Sequence, residues 1–436
     1  MSDNSIGNHD GADVIERVRA YVVDLGRRAV GLCELYDFGF PSSVVRDQIA
    51  RLGRDFDSFR GAFEVPELTS GGRGSLWDHE QSVRYAAGAA MITARFRGAM
   101  SPANVARAAA AKALHEFQAD LLDDIIDGGV YTFEEARALY RVCLAPMTEA
   151  RFDADELQVE LRHRIQAHQQ GTVDLLTSLT TRLHELLRHA PNWDAFRSEI
   201  RRENQRLATG QALTVFQKRE SRSIQMIREW ASRFPAPNPD LRWQERFARS
   251  VAHGSGLCLI DLCFAQERLT PSELRSHLNA WYYFDVLMTL VNNVLDIPDD
   301  ADEGLTNIAL MSMRGAEVLD PTVDPTAIRP TMRDYEPLLK RMAELSGRAI
   351  TSAHEALDDP DAFYPFVAFM MPVVMLTERR KRGGSAPCVP SRTRTGHPRS
   401  VRRDGARLGY HSTRYSQWSS LFRTHRVFVT LPLTPR

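Results

Sequence analysis

The sequence predicts an all-α protein built as a single helical bundle, and three observations carry that expectation. Of its 436 residues, 43% are hydrophobic, enough for a large buried core. Residues 1–376 show no alternating apolar/polar series, no Asn-Gly hairpin signal and no repeat of fixed period. Several helix starts are also written out in full, and two apolar helical stretches each carry an acidic face.

The helix starts come first. Ser101-Pro102 places a capping hydroxyl before a proline at the first helical position. Thr132 with Glu135 makes a capping box, and so does Thr270 with Glu273, where Pro271 follows the cap. Amphipathic stretches are predicted at 102–127, 133–145, 154–188, 193–232 and 271–297. Pro235, Pro237 and Pro239 interrupt the pattern over too short a span for a linker between domains. The chain is thus divided into a disordered N-terminus at 1–14, one helical domain at 15–376 and a tail at 377–436.

The formal net charge is −1, so no global bias points to nucleic acid or to a membrane surface. No uninterrupted apolar run is long enough for a spanning helix. The polar, acidic start MSDNSIGNHDGADVIERV is no signal peptide. The five cysteines (Cys33, Cys143, Cys258, Cys263 and Cys388) include no CxxC pair and read as reduced thiols of a cytoplasmic protein. Residues 377–436 stand apart, with 14 Lys/Arg against 2 Asp/Glu. They lack helical periodicity and read as a disordered basic arm; out-of-frame translation of a GC-rich gene, or a nucleic-acid-binding arm, would give a similar composition.

The first acidic face closes the helix that begins at Ser101. Asp120, Asp123, Asp124 and Asp127 fall at i, i+3, i+4 and i+7, one side of a helix, and Glu116 extends it by a turn. Gly128-Gly129 supplies a stop. Like charges at these spacings repel, and the helix dipole disfavours anions at a C-terminus. Hard carboxylate oxygens in this pattern suit Mg²⁺, against the alternative of an acidic surface patch. The second face lies on the helix from Thr270. Asp285, Thr289, Asn292 and Asp296 repeat at i, i+4, i+7 and i+11, with Asp300 four residues on. Pro298 is expected to end this helix near Asp296 and to leave Asp299 and Asp300 in a loop. An Asn292-Asn293 pair among Val, Leu and Ile calls for partners, either a ligand or a buried hydrogen-bond network.

With these residues the sequence resembles the bacterial class I terpene synthases of the isoprenoid synthase superfamily, with a likeness to diterpene cyclases. Asp123-Asp124-Ile125-Ile126-Asp127 matches their DDxxD motif. Asn292, Asp296 and Asp300 occupy the three positions of their second metal motif, with Asp in place of both the hydroxyl residue and the Glu. Glu303-Gly304-Leu305-Thr306-Asn307-Ile308 is similar to the segment that follows it. The resemblance covers residues 90–376. It implies a helical bundle around a central apolar pocket, a prenyl diphosphate substrate and three Mg²⁺ ions, with Mn²⁺ as a substitute.

The resemblance further implies a diphosphate-sensing arginine, either Arg249 or Arg246, upstream of the second motif. It implies a helix break at Gly254-Ser255-Gly256. Lys218 and Arg219, in the same charge run as Arg222, are candidates for the phosphate, and Asp120 and Asp285 for the substrate region. Phe117 and Phe216 are candidate pocket walls, as are Trp281, Tyr282, Tyr283 and Phe284. The family's C-terminal Arg-Tyr pair has only a nominal counterpart in Arg414-Tyr415.

The substrate expected is geranylgeranyl diphosphate or a bicyclic diphosphate made from it. The partner expectations are that substrate, no nucleic acid and no membrane span, and they leave room for a homodimer. Chain-elongating prenyl diphosphate synthases are the nearest alternative, although DDIID is followed here by GGVYTFEEAR instead of an Arg-Arg-Gly segment. Head-to-head condensation and a noncatalytic helical protein are the remaining readings. No DxDD motif for class II cyclisation is present.

Overall fold

The computed structural model describes residues 99–217, 223–233, 238–266, 269–303, 307–314 and 332–357, with isolated positions between 16 and 93. Among the described residues all regular structure is helical. Helices α1 (Pro102–Gly128), α2 (Phe133–Leu144), α3 (Ala154–Arg164) and α4 (Val173–Arg188) form the first half. Helices α5 (Trp193–Gln217), α6 (Ser223–Arg233), α7 (Trp243–Ser250) and α8 (Gly254–Phe264) follow, and α9 (Pro271–Glu303), α10 (Ile308–Arg314) and α11 (Met332–Leu357) complete the order. Short 3₁₀ turns at Ala145–Thr148 and Ala167–Thr172 link the early helices. The segments assigned to a disordered N-terminus and a basic tail, 1–14 and 377–436, lie outside the described residues, as does the Arg414-Tyr415 pair.

The caps read from the sequence are made. The Ser101 hydroxyl accepts from the Asn104 N–H at 3.3 Å. The Thr132–Glu135 box closes with bonds of 2.8 and 3.3 Å, and the Thr270–Glu273 box with 2.7 and 3.3 Å. Helix α1 stops at Gly128 with Gly129 as its cap.

Helix α1 is not amphipathic, in contrast to the sequence expectation. Every residue from Ala108 to Leu122 is buried, because α1 is packed by α4 on one flank and α8 on another, with α2 and α5 against it as well. Alanines at 108–111 and 113 allow that close approach. Burial on all sides then demands partners for the polar side chains. Lys112 Nζ lies 2.8 Å from Asp261 on α8, and Gln118 donates to the Cys143 carbonyl and to Thr180 Oγ1 on α4, at 3.1 and 2.7 Å.

Three more expectations change. The predicted 154–188 helix breaks at Ile165, whose φ of −81° and ψ of 133° are extended, and Gln170 bonds the stranded carbonyls of Arg162 and Ile165 at 3.0 and 2.5 Å. The predicted 193–232 helix is two helices, α5 and α6, on either side of residues 218–222, which lie outside the described residues. Helix α9 does not end near Asp296 but continues through Pro298 to Glu303. Proline removes one backbone donor, and a loss near a helix end is tolerated where the following residues still close their own bonds.

Helix α9 is the second buried element, with every residue from Ala280 to Val291 buried. It packs against α7, α8, α10 and α11, and α8 packs against both α9 and α1. Helix α11 is held by Arg341, which meets Glu245 of α7 at 2.7 and 2.8 Å through two nitrogens, the paired geometry that favours Arg over Lys. Cys143, Cys258 and Cys263 are free and buried, and burial pushes the Cys143 and Cys263 thiols far above the ordinary value. Among the described residues no helix is long and apolar enough to cross a membrane.

Candidate functional site

The acidic end of α1 is the first half of the candidate site. Asp120 is buried and Phe117 fully so, whereas Asp123, Asp124 and Asp127 are half-buried where the helix emerges from its neighbours. The last turn of α1 contains no basic residue. Across the turn at Gly129–Thr132, helix α2 runs back along α1, and the Tyr140 hydroxyl donates to Asp123 Oδ1. Burial raises the Tyr140 phenol well above its ordinary value, and the negative charges of Asp123, Asp127 and Asp120 raise it further. Three carboxylates therefore act on one hydroxyl.

The second half is the joint between α7 and α8. The break expected at Gly254-Ser255-Gly256 lies just before it, at Val251–His253, and Gly254 is the first residue of α8. A helix end leaves carbonyls without partners, and here neighbouring side chains bond them. Thr289 of α9 donates to the Ala248 carbonyl at 2.9 Å. Arg206 of α5 donates to the carbonyls of Arg249 and Ala252 at 2.5 and 3.0 Å, and Gln211 to that of Val251 at 2.9 Å. Both Gly210 and Gly254 permit the approach: a Cβ on Gly210 would come within 2.3 Å of the Ser250 carbonyl oxygen, and one on Gly254 within 2.4 Å of Asp285 Oδ1.

Glu203 is the hub of this joint. It pairs with Arg206 at 2.7 Å and with Arg249 at 3.1 Å, and it accepts from the Ser255 hydroxyl at 2.9 Å. Burial works to raise its pKa, but Arg206, Arg249 and these hydrogen bonds bring it to about 2. Arg249 lies over the Tyr282 ring, 3.5 Å from the centroid, a cation–π contact. Asp285 accepts the Ser255 N–H at 3.2 Å at the start of α8, where the helix dipole favours an anion. Burial nevertheless raises its pKa to about 6, against the pull of Arg206 and Arg249.

The structure thus brings Arg249, Asp285 and Gly254 together, and it buries Arg249 against Glu203 and Tyr282. Arg246 is half-buried one turn earlier and bonds the Leu241 carbonyl at 3.0 Å. Asn292 is half-buried on α9. Its neighbour Asn293 is satisfied by the hydrogen-bond alternative: the Ile308 N–H donates to its side chain at 2.7 Å and Asn307 donates to its carbonyl at 2.6 Å. The side chains of Phe216, Asp296 and Asp300, and Lys218, Arg219 and Arg222 entirely, lie outside the described residues. Trp281, Tyr282, Tyr283 and Phe284 are all buried, with Trp281 and Phe284 edge to face at 5.2 Å.

Sequence reasoning missed Glu203 and Arg206. Both sit in the charged run RSEIRRENQR, which has the look of a solvated helix face, and only the packing of α5 against α7 and α8 distinguishes them. Tyr140 was missed as well, since only the return of α2 along α1 brings its hydroxyl to Asp123.

Among the described residues, no three His, Cys, Asp or Glu side chains converge into a metal cage. Mg²⁺ does not need one, since it binds through one or two carboxylates and completes its octahedron with water and substrate phosphate. Half-buried Asp123 and Asp127, with no basic side chain in their turn, fit that donor chemistry. No protein-family model matches the chain, and no curated protein matches it.

Proposed function

We propose that this chain is a Mg²⁺-dependent terpene synthase of class I type, which ionises an allylic prenyl diphosphate and turns the resulting carbocation into a hydrocarbon. The observation that carries this reading is the end of α1, where Asp120, Asp123 and Asp127 bear together on the Tyr140 hydroxyl without a basic residue in their turn. Asp123, Asp124 and Asp127 would hold metal on one side, and Asn292, Asp296 and Asp300 on the other. Bound Mg²⁺ supplies Lewis-acid stabilisation of the negative charge that builds on the departing diphosphate.

The residues of the chain have separate tasks in this scheme. Heterolysis of the allylic C–O bond leaves the electron pair on the diphosphate and a cation on the carbon. Arg246, half-buried at α7, and Arg249, held by Glu203 and Tyr282, are the cationic groups for the leaving group. Buried aromatic faces such as Phe117 and Tyr282 suit a cation, and a water-poor bundle interior delays its quenching. Transfer of a proton from the cation to the released diphosphate closes the balance. Geranylgeranyl diphosphate, or a bicyclic diphosphate derived from it, is the proposed substrate.

The test is incubation with geranyl, farnesyl, geranylgeranyl and geranylfarnesyl diphosphates, with and without Mg²⁺, followed by diphosphate and hydrocarbon analysis. Mg²⁺-dependent diphosphate release from a single allylic substrate, lost in Asp123→Asn, is the expected result. Release that requires a second, homoallylic diphosphate would instead assign chain elongation. Release from none of the substrates would favour a noncatalytic helical protein.

A further inference from the structure

We infer that Gln169, in the 3₁₀ turn at Ala167–Thr172, is a positioning residue that caps α1 from outside and fixes the direction in which its acidic last turn meets a divalent cation. The inference rests on the metal role proposed above for that turn, and four observations carry it.

The first is the bond. The carbonyls of the last four residues of a helix have no partner within it, and in α1 these are Ile125 to Gly128. Gln169 Nε2 donates to the Ile125 carbonyl at 2.7 Å, inside the protein. Ile125 stands between Asp124 and Asp127 in the chain, so a bond at its carbonyl restrains the backbone that carries both carboxylates. The second is that the amide is itself held. Its oxygen accepts from the Tyr131 hydroxyl at 3.0 Å, and the residue is buried. The Gln169 N–H bonds the Gln166 carbonyl at 2.8 Å, and the Thr172 hydroxyl donates to the Gln169 carbonyl at 2.8 Å.

The third observation is that the same turn grips the residues that follow. Gln166 donates to the Val130 carbonyl at 2.7 Å and accepts from the Val130 N–H at 3.3 Å, and His168 Nε2 lies 3.4 Å from the Gly128 carbonyl. The fourth is Gly128, where a Cβ would come within 3.1 Å of Gln169 Nε2, so a glycine lets the amide approach. The side-chain type also suits the task. Lysine or arginine would satisfy the Ile125 carbonyl but would compete with a metal ion for the nearby carboxylates. A glutamine amide supplies two donors and no charge.

The experiment measures Mn²⁺ binding to the whole chain by electron paramagnetic resonance of the free ion, in wild type, Gln169→Met, Asp127→Asn and the double variant. Melting in EDTA reports folding separately. Methionine keeps the length of the side chain and removes both hydrogen bonds. Loss of a group that orients metal ligands typically costs ten- to a hundredfold in affinity, and Gln169→Met, which acts through backbone, is expected to bind Mn²⁺ about tenfold more weakly. It should also melt below wild type, and its effect on Mn²⁺ should vanish in the Asp127→Asn background. A purely structural cap would lower the melting temperature and leave Mn²⁺ affinity unchanged, a result that would overturn this inference and leave the metal reading standing. An undiminished effect in the Asp127→Asn background would also overturn it. Absence of Mn²⁺ binding by wild type would overturn both.

Should Gln169→Met fail to fold, Tyr131→Phe decides. It keeps the ring and removes the donor that orients the Gln169 amide, so Mn²⁺ binding should weaken in the same direction and by less. Wild-type Mn²⁺ affinity in folded Tyr131→Phe rejects the role.

Discussion

Lys112 on α1 and Asp261 on α8 meet at 2.8 Å, and neither side chain retains any exposure. Thr93 donates to the other carboxylate oxygen at 3.1 Å. Two charges taken fully out of water roughly balance desolvation against attraction, but removing one of them leaves the other uncompensated. Lys112→Met should therefore destabilise by about 3–5 kcal/mol, and Lys112→Met with Asp261→Leu by clearly less. Urea unfolding of both variants checks this, and equal losses would mean that the pair is not energetically coupled.

His115 and His253 form a second buried contact, with ring centroids 5.6 Å apart. Burial lowers the His115 pKa from 6.5 to about 4, with a Gln118 hydrogen bond opposing. Burial, then the charges of His115 and Arg206, lowers the His253 pKa well below its ordinary value. Between pH 6.5 and 4 the unfolded chain binds more protons than the folded one, so stability falls as the pH falls. For His115 the slope is about 1.4 kcal/mol per pH unit. His115→Gln should lose relative to wild type at pH 7 and recover at pH 5, as read by denaturant unfolding at the two values.

Asp285 carries the opposite sign. Its folded pKa is raised from 3.8 to about 6, so its contribution is fully present below the unfolded value and is lost as the pH rises through 6. Asp285→Asn keeps an acceptor for the Ser255 N–H and carries no charge to desolvate. The variant should gain stability relative to wild type on going from pH 4 to pH 8. A difference independent of pH would show that Asp285 does not titrate in this window.

Gly210 is where α5 crosses the end of α7. Alanine would gain about 1 kcal/mol from helix propensity, but its Cβ would lie within 2.3 Å of the Ser250 carbonyl oxygen, which belongs to backbone and cannot swing away. Overpacking of this kind costs about 1–3 kcal/mol. Gly210→Ala should therefore lower the melting temperature, whereas Gly347→Ala, with nothing within 4 Å of its Cβ, should raise it slightly.

What the sequence made legible follows a physical rule. Caps are local, so Ser101, Thr132 and Thr270 could be read three residues at a time, and the acidic turn at Asp120–Asp127 is likewise one stretch of helix. Burial is not local. Helix α1 was read as amphipathic, and only the packing of α4 and α8 on separate flanks explains why Lys112, His115 and Gln118 stand inside it. Glu203 and Arg206 were hidden for the same reason, since a charged residue facing a helix joint looks in sequence like one facing water. The break at Ile165 depends on Gln170 reaching back to two carbonyls, and no periodicity announces it.

The carbonyls of Arg249, Val251 and Ala252 are bonded by Arg206 and Gln211, which belong to a different helix. At the joint, the Ala252 N–H bonds the Arg249 carbonyl at 3.2 Å and the Leu257 N–H bonds the His253 carbonyl at 3.0 Å. A frayed helix end loses its amide protons to solvent quickly, but this one is splinted from outside, and α5 must withdraw before the joint can open. Deuterium should therefore enter Ala252 and Leu257 at the pace of α5, so that α5, α7 and α8 exchange as one cooperative unit.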